Sequence, residues 1–446
     1  MQTATKDIVD LLGNTFERCQ SPSLRLEKFV VQRQKDKNLE IEQICRCANT
    51  KKNLSFSTFP FHRISGAEQF VMTTQSRLLI NHSGGILENT GLCLHRFHGT
   101  PMIPGSAQKG IARKYALEAV RGATDHATKC QLLLKTALTF GWSEQDWSEP
   151  KPSAVNDKKP LSAFVYACAE HRQIVWEKCA RKLADITGTI ITDKHRHEPW
   201  KALTNFAGTI AFLPACVHIS DDILTNPNKL SLSLLDPDIV NCHHSKYYQD
   251  ERQNRIALDI ESPIPNFFPA VCADLDFLFV LLPLRALEKD VSFSPLAFGG
   301  ECLRGGLSEY GIGAKTSAGY GWLEINETKT QTLQKERDKA EEERRAQEAF
   351  ESMTPEEQEL AKFMKSLPKG DELGALKGMI AKIDSLSVDE QRMICLAFKL
   401  HFAKEWASDC RDALKAKGPD DKKNGKAFRR VEALRNAARK TGVDLT

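Results

Sequence analysis

The stretch Gly299–Trp322, GGECLRGGLSEYGIGAKTSAGYGW, sets eight glycines around Arg304, Lys315 and Thr316. Glycine is costly in backbone entropy, so such density points to positive φ or to close approach of the backbone to a ligand. Exposed amides beside a lysine and hydroxyls make a cradle for phosphate oxygens. Gly311, Gly313, Gly319 and Gly321, with Arg304, Lys315, Thr316, Ser317 and Tyr320, are therefore candidate binding residues. A plain series of tight turns is the blander account. A nucleotide P-loop is excluded because Glu309 and Ala314 stand where it needs glycine, and strand-like GYGWLEI follows where it needs a helix. A dinucleotide fingerprint fails because Thr316 replaces its third glycine.

Before this stretch lie GTIAFLPACVHI (208–219) and DLDFLFVLLPL (274–284), β-branched and aromatic runs of strand length, and GYGWLEI (319–325) closes the series. From Gln75, short apolar runs broken by Gly, Asn and Pro read as strand, turn, strand, loop. Gly105-Ser106 then delivers the chain into a helix. Ser106 occupies an N-cap position, and Ile111, Ala112, Tyr115, Ala116 and Ala119 supply an apolar stripe. Lys109 and Arg113 are four apart on that helix, near an N-terminus that favours anions, which makes Ser106, Lys109 and Arg113 a second phosphate candidate. A polar excursion spans 144–160, and one helix is expected over 163–183. Helices and strands intermingle, so the class is α+β.

The 446 residues are 41% apolar and 27% charged, an ordinary globular composition in a chain long enough for more than one domain. The apolar run Phe277–Leu284 is too short to span a bilayer, and Ile8, Leu11, Leu12 and Phe16 make the first segment an amphipathic helix instead of a signal peptide. Thirteen cysteines without a C-x-x-C pair read as reduced thiols, so the expected location is cytoplasmic. The net charge of +4 does not by itself declare a nucleic-acid binder; the signal has to be local.

After Asn326 the composition turns to Lys, Glu, Arg, Gln and Ala, as in a solvated charged helix or linker. Thr354-Pro-Glu-Glu357 and Ser387-Val-Asp-Glu390 are capping boxes ahead of apolar-periodic runs, so a helical domain follows. Between Lys415 and Lys440 there are ten Lys or Arg against three acidic residues, a local excess larger than the net charge of the chain. The expected organisation is a lead-in segment over 1–74, a core over 75–326 and a helical extension over 327–446. That break predicts a core that stands without anything after Asn326.

His95 with His98, His195 with His197, and Cys242-His243-His244 lack partners at metal-ligand spacing and read as surface or base-stacking groups. Asp221-Asp222 and Asp274 with Asp276 are carboxylate pairs beside turns, where solvation is the ordinary role. No catalytic set, metal or cofactor is expected.

IPGSAQKGIAR, GTIAFLPACVHI, DPDIVNCHHSKYYQ, PIPNFFPAV and GIGAKTSAGYG resemble, in order and spacing, the sixth-subunit family of the CRISPR type III-B (Cmr) complex, within the RAMP superfamily. The resemblance covers about Gln75 to Ile325. It implies a ferredoxin-like, RRM-related core that holds guide crRNA near its 3′ end, caps the RAMP filament, and meets complementary target RNA, the fourth and first Cmr subunits and the small helical subunit. It implies no catalysis and no membrane. It also implies that Asp236–Pro265 forms a thumb against the guide–target duplex, with Tyr247 and Tyr248 stacking on bases. His95, Arg96 and His243 are further RNA-binding candidates. The alternatives are a guide-processing RAMP endoribonuclease, another type III backbone subunit, or a protein-only scaffold.

Overall fold

The computed structural model describes residues 19, 21–28, 37–49, 64, 66–85, 90–148, 162–219, 233–250, 256–257 and 259–445. The first expected helix (Thr5–Cys19), apart from Cys19, and Asp221-Asp222 lie outside them. The chain divides into two compact units, Met1–Asp338 and Lys339–Thr446.

The first unit is built on strand β7 (Asp276–Pro283), whose residues Asp276–Leu281 are all buried. A run buried on both faces gains nothing from polar alternation, which explains the continuous apolar sequence. On one side of β7 runs β1 (Glu68–Thr74), antiparallel from Glu68↔Leu281 to Thr73↔Asp276, with β8 (Leu323–Ile325) beyond it. On the other side come β4 (Ala215–Val217) and β2 (Met102–Ile103), and β3 (Ile210–Phe212) also pairs with β7. The sheet order is β2-β4-β7-β1-β8. GTIAFLPACVHI is thus two short strands, because Pro214 has no N–H to continue a ladder. β1 lies ahead of the Gln75 start expected from the turn pattern. Residues 76–80 form no named strand; Leu78 bridges to Val271.

Helix α3 (Gly105–Gly122) and helix α8 (Pro295–Glu309) pack on this sheet; α1 (Pro22–Glu27) and α2 (Lys37–Ala48) precede them in the chain. The shared core includes Phe70, Met72, Ala112, Ala116, Phe277, Phe279, Leu303 and Leu307. Pro104, and not Ser106, is the N-cap of α3, and no side chain caps it; Ser106 is exposed in the first turn. Ala119 of the expected stripe is exposed too, and Leu117 and Val120 are buried instead. Half of the glycine stretch is helix: Ser294 caps α8 by accepting from the Ala297 amide at 3.2 Å, and Gly299, Gly300, Gly305 and Gly306 lie within it. A Cβ on Gly306 would stand 2.9 Å from the Ile111 carbonyl oxygen, so these glycines serve the contact of α8 with α3.

A helical layer of α4 (His126–Phe140), α5 (Ala163–Cys168) and α6 (Arg172–Ile186) encloses Trp147, Trp176 and Trp200, stacked edge to face. The single helix expected over 163–183 is broken where Ala169 takes φ 47°. A two-stranded hairpin, β5 (Leu235–Cys242) with β6 (Ile264–Val271), pairs from Leu235↔Val271 to Cys242↔Ile264, and the short helix α7 (Ser245–Tyr248) lies between its strands in sequence. Its base is buried at Leu235, Phe268 and Val271, and Ile239 and Ile264 farther out are exposed. α2 braces it through buried Ile41, Ile44 and Ala48, while Asn49 Oδ1 accepts from the amides of Leu234 and Leu235.

Helix α9 (Glu327–Glu351) carries the charged stretch. Its first turns do not face solvent all round: Leu333 is buried against Val71, Leu278 and Val280, Thr330 Oγ1 accepts from the Val71 amide at 3.0 Å, and Arg337 donates to the Ala67 carbonyl at 2.8 Å. The two compact units meet in sequence at Asp338, inside this helix and beyond Asn326.

The second unit contains α10 (Pro355–Ser366), α11 (Glu372–Ile380), α12 (Val388–Leu400), α13 (Ala403–Lys415) and α14 (Gly425–Thr441) around Leu376, Ile394, Phe398 and Leu434. Both capping boxes form: Thr354 N–H donates to Glu357 at 2.8 Å and Ser387 N–H to Glu390 at 2.9 Å.

Candidate nucleic-acid interface

After α8 the chain takes positive φ at Gly311, Gly313, Lys315, Gly319 and Gly321. A Cβ at Gly313 would stand 2.2 Å from the Leu79 carbonyl oxygen, and one at Gly321 2.0 Å from that of Ile312. The loop is stitched to the segment before it: Ala314 N–H donates to Leu79 O (2.7 Å), Gly321 N–H to Arg77 O (2.8 Å) and Gln75 N–H to Trp322 O (2.8 Å). Within the loop Ile312, Ala318, Gly319 and Tyr320 also donate to protein carbonyls. Most of the amides therefore shape the loop, and a cradle made from all of them is not present. The exposed tip is Ser317, Ala318 and Gly319, with Lys315 and Thr316 half-buried at its root.

The hairpin meets this loop through Asp238. Its carboxylate accepts from Tyr320 Oη at 2.7 Å and pairs with Arg77 at 3.0 Å. Burial first, and then Asp238, push the Tyr320 phenol up to about 12, so this ring is a clasp between loop and hairpin. Phe268 is the cross-strand partner of Asp238, and Lys315 Nζ lies 5.9 Å from its ring centre. Asn266 stands two residues along β6, about 7 Å away on the same face, and accepts from Lys37 Nζ at 2.7 Å. His82 packs edge-on against Phe268 at 4.8 Å; burial, then Lys315 and Lys37, hold its pKa below the usual histidine value. Three cations, Lys37, Arg77 and Lys315, thus converge where α2, the hairpin and the glycine loop meet, and Asp238 is bonded by one of them. Lys37, Arg77 and His82 were not expected from the sequence. No spacing or motif in the sequence marks them, because Lys37 lies far from Arg77 and His82 in the chain and only the fold joins them.

Other expected residues lie elsewhere. Arg304 pairs with Glu68 at 3.0 Å and covers the Phe70 ring; Glu68 is at the far end of β1 from Thr74, which is about 20 Å along a strand. Arg113 pairs with Asp146 at 2.9 Å and faces Phe164, inside the helical layer. Lys109 donates to the Ala207 carbonyl at 2.9 Å, and burial followed by Arg113 lowers its pKa. The α3 pair is thus bound up in packing, because residues four apart on a helix turned toward neighbours find protein partners.

His95, Arg96 and His98 form a tight turn: His95 N–H donates to Thr100 O and Gly99 N–H to His95 O, both at 2.7 Å. His95 stacks on His98 at 4.6 Å, and burial followed by His98 lowers its pKa. The turn presents Arg96 and Phe97, the ring 84% exposed, while Ser23 of α1 donates to the Arg96 carbonyl. Tyr247 and Tyr248 are exposed on α7, edge to face at 5.4 Å, beside exposed His243. Of the acidic pairs, Asp276 accepts from Thr73 at 2.6 Å and Asn326 at 3.3 Å and is paired with Lys329. Asp274 sits in a turn at φ 59°. Among the described residues no group of three or more His, Cys, Asp or Glu could hold a metal ion. No described helix is long and apolar enough to cross a membrane.

The protein matches CRISPR system Cmr subunit Cmr6 of Pyrococcus furiosus at 30% identity over 268 residues, 59% of this chain and 68% of that protein. The chain belongs to the Cmr6 family. It is a type III-B Cmr protein of the RAMP group, as the quoted segments implied. Among solved structures, it is similar to a chain in the type III-B Cmr-beta complex bound to cognate target RNA (TM-score 0.33, 14% identity, 72% of this chain and 89% of that one). It is also similar to the crystal structure of Cmr6 from Pyrococcus furiosus (TM-score 0.26, 22% identity, 58% of this chain and 97% of that one). No family model matches the chain.

Proposed function

We propose that this Cmr6-family chain is a non-catalytic, RNA-binding subunit of a cytoplasmic type III-B effector, holding the 3′ part of guide crRNA through phosphates at the junction of glycine loop and hairpin. The observation that carries this is the convergence of Lys37, Arg77 and Lys315 around Phe268, where Asp238 pairs with Arg77. Cations gathered in this way attract a phosphate backbone and carry no base preference. The hairpin, with Tyr247 and Tyr248 on α7, has the apolar outer end suited to stacking against a guide–target duplex. Complementary target RNA, the fourth and first Cmr subunits and the small helical subunit are the partners that family membership suggests.

The strand order supports a ferredoxin-like core: β1-α3-β4-β7-α8-β8 in sequence, with β4-β7-β1-β8 across the sheet. Engagement of Asp276 by Thr73, Asn326 and Lys329 supports a role without metal-assisted hydrolysis at that carboxylate. The test is filter binding of guide RNA by the full chain. Lys37→Ala with Lys315→Ala is expected to weaken binding equally for unrelated spacer sequences and to lower the slope of log affinity against log salt by up to about 0.7–0.9 per lost contact. An unchanged slope, or RNA cleavage by the purified chain that one of its own Asp or His substitutions abolishes, would overturn the proposal.

A further inference from the structure

The second compact unit contains a recess of about 680 Å³ between α11, the turn Ile383–Ser385 and α14. Its rim carries Lys377, Lys382, Lys426 and Arg429, none with a carboxylate partner among the described ion pairs, whereas Arg430 is held by Asp409 at 2.7 Å. Asp384 is the acidic group lining the recess, and it pairs with Lys440 at 3.6 Å. The floor is apolar: Ile380 and Ile383 are 3% and 2% exposed. Like charges gathered without counter-charges repel one another, a cost that an anion bound among them would reverse. The first turn of α14, which bears Lys426, adds the partial positive charge of a helix N-terminus.

From this geometry we infer that the recess is a second nucleic-acid site, taking a nucleotide of single-stranded RNA with its phosphates on Lys382, Lys426 and Arg429 and its base in the recess between them. Four cations around one recess of this size suit a nucleotide, whose base can enter while its neighbouring phosphates meet the rim, better than an acidic protein segment, whose carboxylates would meet the rim and leave the recess empty. The site draws on no residue of the glycine-loop junction, so it can fail or hold independently of the proposal made for that junction.

The experiment uses the full chain. A short fluorescein-labelled single-stranded RNA of mixed sequence is titrated by anisotropy at several salt concentrations, against the parent, Lys382→Glu/Lys426→Glu/Arg429→Glu, and Lys37→Ala/Lys315→Ala. These three rim side chains are exposed, so the fold should persist, as an unchanged thermal melt will verify. The expected result is about tenfold weaker binding by the charge-reversed variant, with a salt slope lower by roughly two for three lost contacts, and retention in Lys382→Arg/Lys426→Arg. Crosslinking of 4-thiouridine RNA is expected to mark peptides spanning 377–385 and 426–433. Unchanged affinity and slope with crosslinks only in the first unit would overturn the inference and leave the junction proposal standing. Loss only in the junction variant would do the same, and tighter binding of an acidic peptide than of RNA would assign the recess to protein. No RNA binding by the parent would sink both.

Discussion

Removing everything after Asn326 should damage the first unit, whereas removing everything after Asp338 should not. The lost contacts are those of the first turns of α9. Leu333, 4% exposed, gives up a fully buried side chain, about 2 kcal/mol. The Val71 amide loses Thr330 Oγ1 and the Ala67 carbonyl loses Arg337, about 1 kcal/mol each. Asp276, its side chain 10% exposed, loses Lys329, roughly another 1 kcal/mol after allowance for the part-exposed lysine. The total of about 5 kcal/mol is a large share of the roughly 5–15 kcal/mol that holds a domain together. Chains ending at 326 and 338 should be compared by urea denaturation and thermal melting. The longer should melt with the parent's first transition, and the shorter about 10 °C or more lower, at roughly 2–4 °C per kcal/mol. Leu333→Ala in the full chain should reproduce about 2–4 kcal/mol of the difference. Coincident melts for the two truncations would refute the docking of α9 on the sheet.

Gly313→Val should disrupt RNA binding more than Lys315→Ala does, because its side chain would meet the Leu79 carbonyl oxygen. Gly319→Val should be milder, since nothing lies within 4 Å of a Cβ there and only its φ of 91° is strained; filter binding with circular dichroism checks the order. Stability should fall as pH drops below about 6.5. His82 and His95 have folded pKa values below the unfolded one, so the unfolded chain binds more protons in that window; the contribution is intact above it and lost on acidification. Denaturant midpoints across that range test it, and His82→Phe should flatten the dependence.

The sequence by itself determined what local chemistry determines. The capping boxes at Thr354 and Ser387, the apolar run that becomes β7, the positive-φ glycines from Gly311 to Gly321 and the family's spaced segments could all be read in one dimension. The tertiary structure decided which cations share a surface. Arg304, seven residues from Gly311, is drawn to Glu68 at the other end of a strand, and Lys109 and Arg113 are taken up by Ala207 and Asp146. Lys37, Arg77 and Lys315, remote in sequence, come together because α2, the Leu78 bridge and the glycine loop all attach to one hairpin. The same holds for the eight glycines: their count is visible in the chain, but four lie in a helix pressed against its neighbours and four bend a loop. Composition cannot separate these uses, because close packing and positive φ both exclude a Cβ.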